Sequence, residues 1–229
     1  MKSIRTNFIY CVLALTALAG IAVPAAADDK ADAQQVVDGA RKTIENFAAD
    51  PDMVWFRDHV KDAKAVMIVP QLIKAGFIFG GSGGTGALLS HDAKHGTWTS
   101  PAFYSMGSVT WGLQIGGEAA EVVMLVMTEK GVDAFLSTKF QVGADASVAA
   151  GPVGAGAQAA TADIIQFTRS KGAFGGLTLE GSVIDIRDSL NNAYYGKEVR
   201  PTDILVTRSV HNKQADLLIA SLHKLAKGH

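Results

Sequence analysis

Residues 79–90 read Phe-Gly-Gly-Ser-Gly-Gly-Thr-Gly-Ala-Leu-Leu-Ser, and two chemistries could be built on them. Gly80, Ser82 and Gly84 satisfy Gly-x-Ser-x-Gly, the strained elbow that presents a nucleophilic serine in hydrolases. Gly81, Gly83 and Gly86 satisfy Gly-x-Gly-x-x-Gly, where bare backbone approaches a dinucleotide pyrophosphate. Both devices need a strand before the glycines and a helix directly after them, because the helix N-terminus supports the oxyanion or phosphate. Lys74–Phe79 supplies the strand. After Gly86 come only Ala87, Leu88 and Leu89, and then the polar turn Ser-His-Asp-Ala-Lys-His-Gly. The window about 20 residues on, where a ribose-binding carboxylate would stand, reads Pro-Ala-Phe-Tyr-Ser-Met-Gly-Ser and holds none. No Gly-Lys-Ser/Thr marks a P-loop. These glycines are read as backbone that must bend or be approached closely.

His91 and His95 are spaced for one helical face, yet they fall in that polar turn without a cysteine or a His-Glu-x-x-His beside them. Glu118 and Glu121 have no catalytic partner at a useful spacing. No catalytic residue, metal ligand set or cofactor is assigned, and the chain reads as a non-enzyme.

The start of the chain carries an address. Lys2 and Arg5 precede the apolar, uncharged stretch Phe8–Val23, and Ala25-Ala26-Ala27 supplies a small-residue cleavage site. Residues 1–27 are expected to be a signal peptide, and 28–229 a single domain, periplasmic or secreted. The lone cysteine, Cys11, leaves with the signal, so the mature domain must rely on a hydrophobic core rather than disulfides. Without Lys2 and Arg5, the 21 basic residues fall to 19 against 22 acidic, a net charge of −3 with neutral histidines. With no long basic run, nucleic acid is not an expected partner.

Twenty of the 24 glycines fall between Gly76 and Gly181, with helical patterns outside that window and extended patterns inside it. That layout predicts an α+β fold: a strongly curved antiparallel sheet, sandwich or partly closed barrel, with helices from the N- and C-terminal segments. Val36, Val37, Ala40, Ile44, Phe47 and Ala48 stripe a helix over Ala31–Ala49. A second helix is expected after Pro51, a third in Glu129–Thr138, and a terminal one with Leu217, Leu218, Leu222 and Leu225 on one face. Ala65–Pro70 and Val122–Met127 read as buried strands. Phe140–Ala149 alternates as one half-buried strand ending in a turn at Gly151–Gly154, and Leu177–Ile186 as a strand with a bulge at Gly181. Trp98 and Trp111 are expected to fill the sheet's concave side.

Five runs in order, Lys74–Gly86, Gly96–Gly107, Gly112–Glu118, Phe140–Gly154 and Lys171–Gly196, resemble the SYLF domain of lipid-binding adaptor, yeast actin-organising and plant FYVE-containing proteins. They cover most of residues 40–225 and suggest an exported, bacterial-type stand-alone member. The resemblance implies a non-catalytic module that binds anionic phospholipid, of phosphoinositide type, at the bacterial envelope. The alternative it implies is a structural module whose sheet contacts another polypeptide, as in actin binding. Lipid-binding members carry a basic amphipathic N-terminal helix, whereas here Arg41 and Lys42 stand against Asp32, Asp38 and Glu45.

A phospholipid headgroup calls for clustered lysine or arginine beside aromatics that can enter the interface. Trp55, Phe56, Arg57, Lys61 and Lys64 form one such segment, and Lys74 opens the next block. Arg169 and Lys171 form a second, expected near Lys74. The competing reading makes Trp55 and Phe56 core residues and the lysines a solvated face. The processing reading has a direct check: protein recovered from the envelope should have the intact mass of a chain beginning at Asp28, and a retained Met1 would overturn it.

Overall fold

A computed structural model describes residues 25–76, 79–111, 116–152, 161–170 and 179–228. Residues 1–24 of the expected signal, Lys171 and the expected turn beyond Pro152 lie outside them. Strands β1 (Ala65–Gly76), β2 (Phe79–Asp92), β4 (Ala102–Trp111) and β5 (Gly116–Val126) form the centre of one sheet, and β3 (Thr97–Trp98) pairs with the end of β2. Strands β6 (Lys139–Gln141), β7 (Val148–Ala150), β8 (Ile164–Ser170) and β9 (Val183–Ile186) extend it to the order β6-β9-β4-β2-β1-β5-β8-β7. The sheet is strongly curled into a half-barrel, the α+β architecture anticipated.

Its pairings are antiparallel except for β7 on β8, which is parallel. That exception comes from a break in the alternating segment Phe140–Ala149. Gly143 takes φ +91°, its N–H donates to the Ala146 carbonyl at 2.8 Å, and Asp145 accepts the Gln141 N–H at 2.7 Å. The expected single strand is therefore two short ones around a turn, with Phe140, Val142 and Ala146 buried and Ala144 exposed. Gly181, with φ +83°, likewise sits in a turn ahead of β9 rather than in a bulge within one strand.

The helices cover the sheet unequally. Helix α1 (Ala25–Ala49) buries Ala33, Val37, Ala40, Ile44 and Phe47. With α2 (Val54–His59), α4 (Asp188–Tyr195) and α6 (Asp216–Lys227) it covers Val66, Ile68, Leu89, Phe103, Val123 and Phe167 on one face. Pro51 lies in a turn ahead of α2 rather than inside it. In α6 the buried residues are Leu218 and Leu222, while Leu217 is 66% exposed, because the stripe follows steps of four. The opposite face packs Met67, Val69, Leu72, Tyr104 and Met124 against α3 (Glu129–Leu136) and α5 (Pro201–Leu205). Thr128 caps α3 by accepting the Gly131 N–H at 3.1 Å. Helices α4 and α5 carried no signal recognised in the sequence. Trp98 is buried on the α1 face, stacked on His91 at 4.3 Å between ring centroids.

Strand β1 does not stop at Pro70 as expected. It runs on to Gly76 because the chain absorbs the proline, which lacks a ladder N–H, in a bulge: the register shifts between Ile68 and Gln71 toward β2, and between Val69 and Leu72 toward β5. The bulge explains two glycines of the 79–90 stretch, which is strand throughout. A Cβ on Gly84 would stand 2.6 Å from the Gln71 carbonyl oxygen, and one on Gly86 2.7 Å from that of Ile68. Gly83 differs, since its nearest neighbour would be the Met106 carbonyl at 4.0 Å. No helix follows these glycines, and the Ser82 hydroxyl hydrogen-bonds across the strands to Ser108 at 2.8 Å. Gly84→Val should therefore cost about 2 kcal/mol or more in urea unfolding through overpacking, whereas Gly83→Val should stay within about 0.5 kcal/mol of the parent. Equal losses at both positions would refute this assignment of the crowding.

Candidate functional site

Past the bulge, the α1 face of the sheet changes character. Glu121 on β5 stands where an apolar residue would be expected just before the buried run Val122–Val126, and three side chains satisfy it. Thr43 and Asn46 of α1 donate to one carboxylate oxygen at 3.1 and 2.9 Å, and Arg169 on β8 donates to the other at 3.2 Å. This network ties the helix to two neighbouring strands. It also leaves the Arg169 Nε–H buried with no acceptor, an orphaned donor of the kind a bound anion would satisfy.

The network lines one side of an open cleft of about 770 Å³ between α1 and the sheet. That volume falls in the range of small-molecule sites, roughly 300–1,000 Å³. Gln71 and Thr85 are paired neighbours in the sheet, and both line the cleft. Gly39 of α1 lies against Pro70, so close that a Cβ there would stand 2.8 Å from the ring. Arg187, which leads into α4, lines the cleft from the β9 side and makes no ion pair among the described residues. Asp32 is a second carboxylate in the lining. The site thus offers guanidinium donors, amides and a hydroxyl, suited to binding a polar or anionic group.

Other polar clusters hold the fold together. Asp163 accepts from the Thr128 hydroxyl at 2.6 Å and from the Ser147 N–H and hydroxyl at 2.9 and 2.8 Å, which hold its carboxyl below the usual range. Asp92 is lowered likewise, first by His95 and then by Arg208, so His95 serves a turn. Burial lowers the pKa of His91, whose ring meets the Ala63 carbonyl at 3.2 Å. Among the described residues no group of three His, Cys, Asp or Glu could hold a metal. A Ser–His–Asp chain does occur: Ser100 Oγ lies 3.0 Å from His211 Nδ1, and His211 Nε2 lies 3.1 Å from Asp216. Ser100 is only 4% exposed and also accepts the Asn212 N–H at 3.3 Å, so it fastens the 209–212 segment rather than meeting a substrate.

The structure divides the basic–aromatic set read from the sequence. Phe56 is fully buried, edge-on to Phe47 and Phe167 at 5.7 and 5.3 Å. Trp55 is half-buried, stacked on His59 at 4.0 Å and on Phe167 at 5.9 Å, two positions before Arg169. Trp55 thus packs against β8, but neither it nor Phe167 lines the cleft. Arg57 donates to the Ala48 and Asp50 carbonyls and closes the end of α1. Lys61 is exposed, and Lys64 pairs with Glu129 at 2.7 Å. Lys74 stands toward the other end of β1, about 30 Å from Lys64 at the rise of an extended strand. The Glu121 network and Arg187 were missed because the residues that build the cleft lie far apart in the chain. The available signal was a charge at the end of an apolar strand run, which needs a partner.

The profile of the Ysc84 family, described as Las17-binding protein actin regulator, matches residues 107–225. The chain belongs to this family. It is 31% identical over 201 residues to Protein YSC84 of Saccharomyces cerevisiae, covering 82% of this chain and 42% of that one. LAS seventeen-binding protein 3 of the same yeast is 33% identical over 183 residues (74% and 39% covered). The human SH3 domain-containing YSC84-like protein 1 is 28% identical over 172 residues (72% and 50%). The chain thus spans half or less of the length of these relatives. Family members are named as binding and regulatory proteins rather than as enzymes. None of the described helices is long and apolar enough to cross a membrane.

If Glu121 fastens α1 to the sheet, Glu121→Ala should lower unfolding free energy by about 1–3 kcal/mol, since it strands one guanidinium and two other donors. Glu121→Gln, which keeps an acceptor oxygen, should lose less. Urea titration of both variants checks the order, and an unchanged Glu121→Ala would remove the network's structural role.

Proposed function

We propose that this Ysc84-family domain is a non-catalytic module that docks on anionic phospholipid surfaces, outside the cytoplasm once residues 1–27 are removed. The observation that supports the reading is the open cleft beside α1, with Arg187 unpaired among the described residues and the Arg169 Nε–H unsatisfied. Of the sequence-derived set, Arg169 lines the cleft, whereas Lys74 alternates with Ile73 and faces the other side of the sheet with Leu72, and Trp55 packs on Phe167 outside the lining. Lys61 and Lys64 stand toward the opposite end of β1, and one flat surface would not engage both ends. Each lysine or arginine near an anionic surface contributes roughly 1 kcal/mol, and the attraction falls off within a Debye length. Binding is therefore weak and salt-sensitive.

A second reading, a protein-contact module, is favoured by the names of the relatives, which include LAS seventeen-binding protein 3. Co-sedimentation of residues 28–229 with phosphatidylglycerol and with phosphatidylcholine vesicles, at low and high salt, separates the two. We expect binding to the anionic vesicles that high salt abolishes, and a larger loss on charge reversal of Arg187, which lines the cleft, than of Lys61, which does not. Equal binding to both vesicle types would discard the electrostatic reading. No binding to either would favour the protein-contact module.

A further inference from the structure

Beyond the cleft, on the same face of the sheet, lies a strip of glycine and apolar residues. The register places Ala119, Ile73, Gly83 and Gly107 in one row across β5, β1, β2 and β4, one step past the row of Gln71 and Thr85. Gly81 and Val109 stand in the next row out. Ile73 is 52% exposed and Val109 78%, and Gly83 and Ala119 are exposed as well. No neighbouring atom crowds a Cβ at the centre of this strip. A Cβ on Gly83 would have its nearest neighbour at 4.0 Å and one on Gly107 at 3.5 Å, both comfortable distances. Glycine in a strand interior weakens the strand, and it is found where the strand bends or where a ligand or another backbone approaches closely.

We propose that one acyl chain of an anionic phospholipid lies along this strip, with the phosphate of the same molecule held in the adjoining cleft by Arg169. The proposal rests on the lipid-binding reading and names where the lipid sits. An unsatisfied donor beside an apolar surface selects this occupant. The cleft balances the Arg169 and Arg187 guanidiniums against the Asp32 and Glu121 carboxylates and leaves the Arg169 Nε–H without an acceptor, the strip presents hydrocarbon and bare backbone, and the two are continuous through Ala119 and Glu121 on β5. The strip is also central. Along these rows β1 and β2 are hydrogen-bonded on both sides, so a peptide there could not add a strand to them. A hydrocarbon chain needs no hydrogen bonds and loses nothing on that surface.

The test uses lysophosphatidylglycerols of increasing chain length, below their micelle concentrations, titrated calorimetrically into residues 28–229. Affinity should rise by up to about four-fold per added methylene and level off once the strip is full. The chain-free headgroup glycerophosphoglycerol should bind weakly. Gly83→Phe, which has room to fold, should cut affinity for the longer chains at least ten-fold without lowering the unfolding midpoint and leave headgroup binding unchanged. Val109→Lys repeats the test without touching a glycine. Arg169→Gln should weaken every chain length about ten-fold or more. Affinity independent of chain length, or unaffected by both strip variants, overturns the proposal. So does a dimer in light scattering that Gly83→Phe dissolves, which would give the strip to a second copy. Vesicle binding that survives both strip variants would leave the membrane reading standing while this one fails. Lysolipid binding without vesicle binding would do the reverse.

Discussion

A proline in the middle of a central strand organises this molecule. Pro70 has no N–H to give the ladder, yet β1 is paired on both sides, so both registers must slip around it. The slip lets Leu72 join the core on the α3 face while Gln71 and Ile73 turn to the α1 face. It brings the Gln71 and Ile68 carbonyls so close to β2 that only glycine fits at 84 and 86. Pro70 also meets Gly39, which lets α1 come down on the sheet at that point. Residues Ala65–Val69, before the proline, are buried on both faces; beyond it one face is open. The cleft lies at that boundary.

The glycines therefore have two physical explanations. At 84 and 86 a side chain is excluded by backbone already in place, and the residue belongs to the bulge. At 83 and 107 a Cβ would have room, with Gly83 exposed and Gly107 half-buried, so their smoothness belongs to the surface. A pattern search sees one run of glycines and offers hydrolase or dinucleotide fingerprints for it. The register separates the two groups, because alternate residues of β2 face opposite sides of the sheet.

Legibility from sequence follows the same division. Local periodicity exposed α1, α3, α6 and the buried β5, since each has a run long enough to show its period. The alternating Phe140–Ala149 segment misled, because Gly143 and Asp145 build a turn whose apolar flanks, Phe140, Val142 and Ala146, mimic one face of a strand. Pro70 was read as a strand terminator, and only pairing on both sides carries β1 through it. In the α1 face, Phe56 was grouped with basic neighbours by proximity in sequence, although a helix turns successive residues to different sides, burying Phe56 and leaving Trp55 half-exposed. Arg169 was singled out for its charge. Its partner Glu121 lies 48 residues away, and Thr43 and Asn46 are farther from Glu121 still. No spacing rule could assemble them.

The placement of Glu121 inside a cleft proposed for an anion calls for a physical reason. A carboxylate there weakens attraction for any negative headgroup, and the chain's net charge of −1 gives no long-range pull toward an anionic membrane. Yet a lone guanidinium at that depth would be mobile and costly to bury. By accepting from Arg169 at 3.2 Å, Glu121 holds the guanidinium and lowers the cost of its burial while the Nε–H stays uncommitted. The same carboxylate anchors α1 through Thr43 and Asn46, so the wall of the cleft and its donor are fixed together. A site built this way trades affinity at a distance for geometry at contact. Recognition must then come from short-range fit, one oriented donor beside a smooth apolar strip, rather than from the polybasic attraction of a charged helix.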